Sequence, residues 1–143
     1  MKKIRIGVVD DNRDFCDVVT DYLVKQSNME IAFLAHDGME AMEYLKSGNC
    51  PDILVLDLIM PHLDGFGVLE SLNNLELKSY PRVIMTSAVG QDTIIQKAIA
   101  LGADACYVAT AALLALGCHL CRTCHSGNCN WGIATQKSEL VKR

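Results

Sequence analysis

The chain has 143 residues, of which 50% are hydrophobic and 21% are charged, and its formal net charge is -4. This composition is that of one globular domain with enough apolar surface for a core, which excludes a disordered chain. The acidic balance excludes a general nucleic-acid or anionic-membrane surface, since either needs a basic patch. No apolar run approaches the ~20 residues of a membrane span, so we expect a cytoplasmic protein.

The first hundred residues alternate short apolar runs with stretches of helical periodicity. This alternation predicts an α/β fold with a doubly wound parallel sheet and helices on both of its faces. We expect strands at residues 4–9, 30–35, 53–57, 82–86 and 104–108. We expect helices at residues 13–26, 38–47, 65–73 and 90–100.

The first predicted helix carries apolar residues at steps of three and four. A stripe with this spacing is typical of a helix face that packs on a core, and we interpret it as packing and not as a binding site. Its members are Phe15, Val18, Val19, Tyr22 and Leu23.

Three carboxylates stand where two predicted strands end. Asp10 and Asp11 follow the first apolar run, and Asp57 ends the third. In an open parallel sheet, ligands bind beyond the carboxyl ends of the strands, where the strand order reverses. Converging carboxylates repel one another, and Mg²⁺ is a hard cation that relieves this repulsion. The pattern therefore predicts a magnesium and phosphoryl-transfer pocket, and the alternative is three solvated loop residues.

Four motifs around these carboxylates belong together: VVDDN at 8–12, DGMEA at 37–41, DILVLDLIMPHLDG at 52–65 and VIMTSA at 83–88. Through them, over residues 1 to about 101, the chain resembles the receiver domain of bacterial response regulators, especially that of sporulation master regulators in spore-forming bacteria. The resemblance implies a flavodoxin-like, five-stranded parallel sheet of order 2-1-3-4-5. It also implies a phosphoacceptor and not an enzyme, with at most slow autophosphorylation from small phosphodonors.

The resemblance also assigns roles to single residues. Asp57 would accept a phosphoryl group from a histidine kinase or phosphotransferase. Asp10 and Asp11 would hold Mg²⁺ together with Asp57, the carbonyl of Ile59 would complete the metal shell, and Ser87 would hydrogen-bond the phosphate. These roles suit the chemistry, because a divalent cation absorbs the charge that develops when a carboxylate attacks a phosphoryl group.

Two positions depart from the receiver pattern. The family has a lysine after the fifth strand and an aromatic switch residue three positions earlier, whereas this chain has Ala109 and Cys106. Tyr107 alternates with Cys106 along a strand, so we expect it on the opposite face. The departures predict impaired switching.

The seven cysteines fall into two groups. Cys16, Cys50 and Cys106 are scattered, as small buried hydrophobic residues are. The other four lie within twelve positions, and in a reducing compartment such crowding indicates metal or iron–sulfur ligation before disulfides. They are Cys118, Cys121, Cys124 and Cys129.

Residues 102–143 resemble the FMN-binding barrel domain of glutamate synthases, through the spacing Cys118-x5-Cys124-x4-Cys129 and the flanking GADA and GIATQ. The resemblance implies that these three cysteines ligate a 3Fe–4S cluster and that the turn after the last barrel strand takes part in FMN phosphate binding. Cys121 would add a fourth ligand, which equally suits 4Fe–4S. Asn130 replaces the usual proline.

Other interpretations of the cysteine cluster stay open. Zinc would use cysteines with His119 or His125, and CRTCH at 121–125 matches the attachment motif of c-type haem. The cluster is also compatible with cysteines that hold nothing. A redox or flavin-phosphate module in the tail is thus the alternative function.

The two resemblances meet at residues 99–104, which predicts a chimera of a receiver part, 1–101, and a glutamate-synthase-like part, 102–143, in one globular unit. The join is engineered or arose by natural recombination, and the product is a signalling module or a fold chimera without selected activity. A short apolar segment at 111–116 replaces the long fifth helix of receivers. This replacement leaves apolar surface of the sheet and of the segment uncovered. We expect either a homodimer that forms through this surface or a tail that folds back over it.

Overall fold

Five short segments, in which β-branched, aromatic and other apolar residues predominate, form the sheet in the computed structural model of the chain, which describes residues 2–87 and 91–108. Such side chains pack well on a pleated surface. The strands are β1 (Ile4–Val9), β2 (Met29–Ala35), β3 (Ile53–Asp57), β4 (Arg82–Ser87) and β5 (Ala105–Val108). Their order in the sheet is β2-β1-β3-β4-β5.

Four helices connect the strands: α1 (Arg13–Val24), α2 (Gly38–Lys46), α3 (Gly65–Asn73) and α4 (Asp92–Ala100). Each of the first three begins after an Asn or Asp whose side-chain oxygen accepts a hydrogen bond from the backbone N–H of the residue three positions later, at 2.7 to 3.1 Å. These N-caps are Asn12, Asp37 and Asp64. Each cap satisfies one of the N–H groups that a helix start leaves without a partner. None of the helices in the described ranges is long and apolar enough to cross a membrane.

The predicted fold class and strand order are confirmed. Each predicted strand and helix is present, and the bounds differ from the predicted ones by at most two residues. Several expectations fall on positions outside the described residues. These are the apolar segment 111–116, Ala109, Cys118, Cys121, Cys124 and Cys129.

The core lies on both faces of the sheet. The larger cluster packs α2, α3 and α4 against one face, around Leu54 and Leu56, which are both fully buried. The smaller cluster packs α1 on the other face, where Cys16 and Leu23 contact Val8 and its neighbours. Burial of each such leucine stabilises the fold by about 1.5–3 kcal/mol.

The buried face of α1 differs from the predicted stripe. Leu23 is buried as predicted and Val19 packs half-buried beside it, but the next core position belongs to Cys16. The predicted packing role is wrong for three residues: Phe15, Val18 and Tyr22, which are 36%, 68% and 64% exposed. Apolar side chains cover almost half of this helix's circumference, and only one edge of that arc meets the sheet.

Candidate functional site

Three carboxylates lie together at the carboxyl edge of the sheet. Asp10 and Asp11 follow β1, and Asp57 is the last residue of β3. One carboxylate oxygen from each of them lies within 4.8 Å of the other two. The residues meet because β1 and β3 are parallel neighbours, with Val9 opposite Leu56. We name Asp10, Asp11 and Asp57 the carboxylate triad.

The electrostatics of the triad favour uptake of a cation. Burial, with the neighbouring Asp10 charge, raises the pKa of Asp57 from 3.8 to about 6, although the N–H groups of Leu58 and Ile59 act in the opposite direction. Burial also raises the pKa of Asp10, against the N–H of Asn12. Among the described residues, no ion pair involves the triad. Within the described residues, no basic side chain therefore neutralises the charge of the three carboxylates through an ion pair.

The backbone around Asp57 is closely packed. The N–H of Leu58 donates to the carbonyl of Thr86 at 3.0 Å, and the N–H of Gly65 donates to the carbonyl of Leu58 at 3.0 Å. A Cβ at position 65 would lie 2.4 Å from the Asp57 carbonyl oxygen. The start of α3 therefore requires glycine, and its close approach fixes the position of Asp57.

The backbone of Asp10 is held by two neighbouring elements. Its N–H donates to the carbonyl of Ala35 at 3.1 Å. Its carbonyl oxygen lies 3.4 Å from Cys16 Sγ and 3.3 Å from His36 Nδ1, and its carboxylate accepts the N–H of Asn12 at 2.9 Å. The sequence predicted burial of Cys16 but gave no signal for the contacts of Cys16 and His36 with Asp10, because both depend on how β2 and α1 lie beside β1.

The other predicted site residues in the described ranges lie near this edge or along β5. Ser87 ends β4 and is 4% exposed, and because β4 runs beside β3 it reaches the same edge as Asp57. Ile59 follows in the loop after β3, with an exposed side chain. Cys106 packs against the larger core cluster while Tyr107 is exposed, which confirms that they point to opposite faces.

The loop after β3 is joined to the start of α2. The N–H of Gly38 donates to the carbonyl of Leu63 at 3.2 Å, and His62 Nδ1 lies 3.2 Å from Asp37 Oδ2. The N–H of Glu40 and the neighbouring His62 hold the pKa of Asp37 below its ordinary value. Two loops at the carboxyl edge thus support each other.

Solved structures that are similar to this chain are receiver domains. The receiver domain of the putative response regulator NarL from Mycobacterium tuberculosis is 30% identical, with a TM-score of 0.69, over 76% of this chain and 85% of that chain. A chain of the CheX–CheY–BeF3–Mg²⁺ complex from Borrelia burgdorferi is 29% identical, with a TM-score of 0.65, over 80% of this chain and 86% of that chain. The phosphorylated cyanobacterial phytochrome response regulator RcpA is 27% identical, with a TM-score of 0.67, over 79% and 85%.

A family model described as a conserved region in glutamate synthase matches residues 66–143. The matched range contains almost all of α3 and the whole of β4, α4 and β5, in addition to the cysteine-rich tail. It begins well before residue 102, where the resemblance to glutamate synthases was expected to begin. The second half of the sheet therefore lies within both similarities.

Proposed function

The chain belongs to the response regulator receiver family and, through residues 66–143, to the family of the conserved region in glutamate synthase, and from this we propose its function. The protein is a phosphoacceptor module of signalling, and Asp57 is the acceptor. A carboxylate oxygen of Asp57 forms a bond to the donor phosphorus, and the donor's imidazole or carboxylate leaves with the electron pair of the broken bond. The observation that carries the proposal is the carboxylate triad, whose oxygens lie within 4.8 Å of one another.

The donor set of the triad fits Mg²⁺. This ion takes oxygen ligands and is held in proteins by one or two carboxylates with water and phosphate oxygens. Asp10, Asp11, Asp57 and the carbonyl of Ile59 would hold it. When bound, Mg²⁺ would offset the negative charge of the carboxylate and phosphoryl oxygens. The raised pKa of Asp57 and the Mg²⁺ in the related CheY complex support this assignment.

The chain's own groups perform the remaining tasks. Asp57, fixed by the close approach of Gly65, presents its carboxylate at the carboxyl edge. The hydroxyl of Ser87 donates a hydrogen bond to a phosphoryl oxygen. The family's lysine is replaced by Ala109, and a half-buried Cys106 replaces the aromatic switch. Asp57 phosphorylation therefore proceeds slowly and with a weakened conformational response.

A protein phosphodonor, a histidine kinase or phosphotransferase, fits the exposed side of α1. Phe15, Val18 and Tyr22 follow one another at steps of three and four residues, which places them on one helix face. The helix starts two residues after Asp11, so this apolar face begins beside the triad. Exposed apolar residues grouped in this way are typical of protein interaction surfaces.

Phosphorylation by acetyl phosphate with Mg²⁺ tests the proposal. We expect intact-mass spectrometry to show the gain of one phosphoryl group, lost in Asp57→Asn. Calorimetry should show saturable Mg²⁺ binding that disappears when Asp10 and Asp11 are both replaced by Ala. A phosphoryl group that persists in Asp57→Asn would contradict the assignment.

A second candidate function rests on the match of residues 66–143 to glutamate synthase. We propose that Cys118, Cys124 and Cys129, with Cys121 as a fourth ligand, hold a 3Fe–4S or 4Fe–4S cluster. Thiolates are soft ligands that suit iron–sulfur chemistry, and such a cluster would supply electron transfer. Anaerobic purification with iron and sulfide analysis tests this. Zinc without iron, or a protein free of both metals, would contradict it.

The origin and the assembly of the chain are proposals as well. Two families overlap on the second half of the sheet, which supports a chimera of a receiver and a glutamate synthase segment. A homodimer through the surface that a long fifth helix covers in receivers remains our expectation. Light scattering over a dilution series tests it, and a strictly monomeric mass at high concentration would contradict the dimer.

A further inference from the structure

The peptide groups on both sides of Asp10 are held by the end of β2. The N–H of Asp10 donates to the carbonyl of Ala35, and the Asp10 carbonyl oxygen meets Nδ1 of the next residue, His36, at 3.3 Å. Two consecutive residues thus fix the direction of the Asp10 backbone. Asp10 is only 8% exposed, so the surrounding packing leaves its side chain little freedom to turn independently of that backbone.

His36 is itself held in place by α2. Its N–H donates to Glu40 Oε2 at 2.7 Å, and Glu40 lies in the first turn of α2. The N–H of Glu40 donates in turn to Oδ1 of the N-cap Asp37 at 2.8 Å. A continuous series of hydrogen bonds therefore leads from the cap of α2 through Glu40 and His36 to Asp10.

The imidazole is the stronger of the two donors at the Asp10 carbonyl. The other is the thiol of Cys16, with Sγ at 3.4 Å, and S–H groups are weak donors. The Asp10 carboxylate needs this support because the nearby charges of Asp11 and Asp57 repel it. Its own partner is the N–H of Asn12, at 2.9 Å.

We infer that His36 is a positioning residue: it donates Nδ1–H to the Asp10 carbonyl and so holds the Asp10 carboxylate in the direction that a divalent cation at the triad requires. The inference rests on the proposed function, since the cation is the Mg²⁺ of that site. Groups that hydrogen-bond a metal ligand directly typically change metal affinity 10- to 100-fold when they are removed. His36 contacts the backbone carbonyl of the ligand residue and not its carboxylate, so we expect an effect at the lower end of that range. His36 acts on the triad through Asp10 and does not itself touch the cation.

Two substitutions at position 36 separate the hydrogen bond from the volume of the ring. His36→Phe keeps a ring without a donor, whereas His36→Asn places an amide N–H close to the position of Nδ1. His62→Asn is the matched control: it removes a 71% exposed histidine whose contact with Asp37 lies at the far end of this series, and it leaves the contact of His36 with Asp10 in place. Calorimetry with Mg²⁺ should show about tenfold weaker binding for His36→Phe, and near wild-type binding for the other two.

Two readouts do not depend on the metal. In the wild type, ¹⁵N–¹H correlation spectra recorded above the usual imidazole titration range should show His36 as the Nδ1–H tautomer. The amide hydrogen of Asn12 is donated to the Asp10 carboxylate, so its exchange with solvent reports how firmly that carboxylate is held. This exchange should be faster in His36→Phe than in His62→Asn.

An Nε2–H tautomer would overturn the inference, as would unchanged Mg²⁺ affinity and unchanged Asn12 exchange in His36→Phe. Failure of the proposed function gives a different pattern. If the wild type binds no Mg²⁺ while the tautomer and the exchange of Asn12 behave as expected, the metal site is wrong and the positioning of Asp10 by His36 stands.

Discussion

Asp104 and Val83 form a reciprocal pair: the N–H of Asp104 donates to the Val83 carbonyl at 2.9 Å, and the Asp104 carboxylate accepts the N–H of Val83 at 2.8 Å. Arg82 Nη1 donates to the other carboxylate oxygen at 2.7 Å. The hydrogen bonds from Arg82 and Val83 hold the pKa of Asp104 below its ordinary value. The residue that precedes β5 thus satisfies a backbone donor of β4.

Asp104→Ala should lower the free energy of unfolding by about 1–3 kcal/mol, because the partly buried N–H of Val83 loses its partner. Urea denaturation measures the change. Arg82→Ala is the control and should cost less than about 1 kcal/mol, because Arg82 is largely exposed.

The effect of Asp104→Ala should also depend on pH. A lowered folded-state pKa contributes stability above the unfolded pKa, and this stability is lost as the pH falls through the folded value. The difference between wild type and Asp104→Ala should therefore shrink in acid. Equal losses for the Asp104 and Arg82 variants would show that the bond to Val83 contributes nothing.

Asp57→Asn should stabilise the protein in Mg²⁺-free buffer near neutral pH. The folded-state pKa of about 6 lies above the ordinary 3.8, so the folded protein binds more protons between these values and its stability falls as the pH rises through them. Because Asp57 is only half-buried, we expect a gain of about 1–2 kcal/mol at pH 7 that shrinks as the pH falls through about 6 and is lost below about 4. Thermal unfolding across this range checks it, and a gain independent of pH would contradict the cause.

Gly65→Ala should destabilise the fold and slow phosphorylation of Asp57. The new Cβ would meet the Asp57 carbonyl oxygen at 2.4 Å and Leu58 Cα at 3.0 Å, and backbone atoms cannot yield as a side chain does. Overpacking of this kind costs about 1–3 kcal/mol. Denaturant midpoints and the rate of phosphorylation by acetyl phosphate measure both effects.

Gly67→Ala is the matched control in the same helix. A Cβ at position 67 would first meet the end of the Leu63 side chain, which is free to shift. Alanine also favours a helix over glycine by up to about 1 kcal/mol. We expect a small change in stability and normal phosphorylation. Equal losses at positions 65 and 67 would show that the contact with Asp57 is not the reason.

Val18→Ala combined with Tyr22→Ala should slow phosphotransfer from a phosphorylated histidine phosphotransfer protein by at least about tenfold, since a few interface residues carry most of the binding energy. Phosphorylation by acetyl phosphate should be unchanged, and stability should change by less than about 0.5 kcal/mol per site. Val24→Ala is the control, because Val24 is 70% exposed but lies on another face of α1. Equal rates for all three proteins would exclude this face as the docking site.

The order of elements and the location of the triad were predictable from the sequence. An apolar run that ends in aspartate defines both a strand and its carboxyl end, and the helix starts are marked by Asn12, Asp37 and Asp64. These signals are local, since each depends on neighbours within a few positions along the chain. The strand order 2-1-3-4-5 came from the resemblance to receivers.

The role of each face and each partner was decided only by the tertiary structure. The sequence of α1 presents a broad apolar arc, and the position of the sheet selects Cys16 and Leu23 for the core while Tyr22 is left exposed. The contact of His36 with Asp10 joins residues 26 positions apart, and the raised pKa of Asp57 depends on burial by other elements. A sequence specifies what each side chain can do, whereas burial and contact depend on segments distant along the chain.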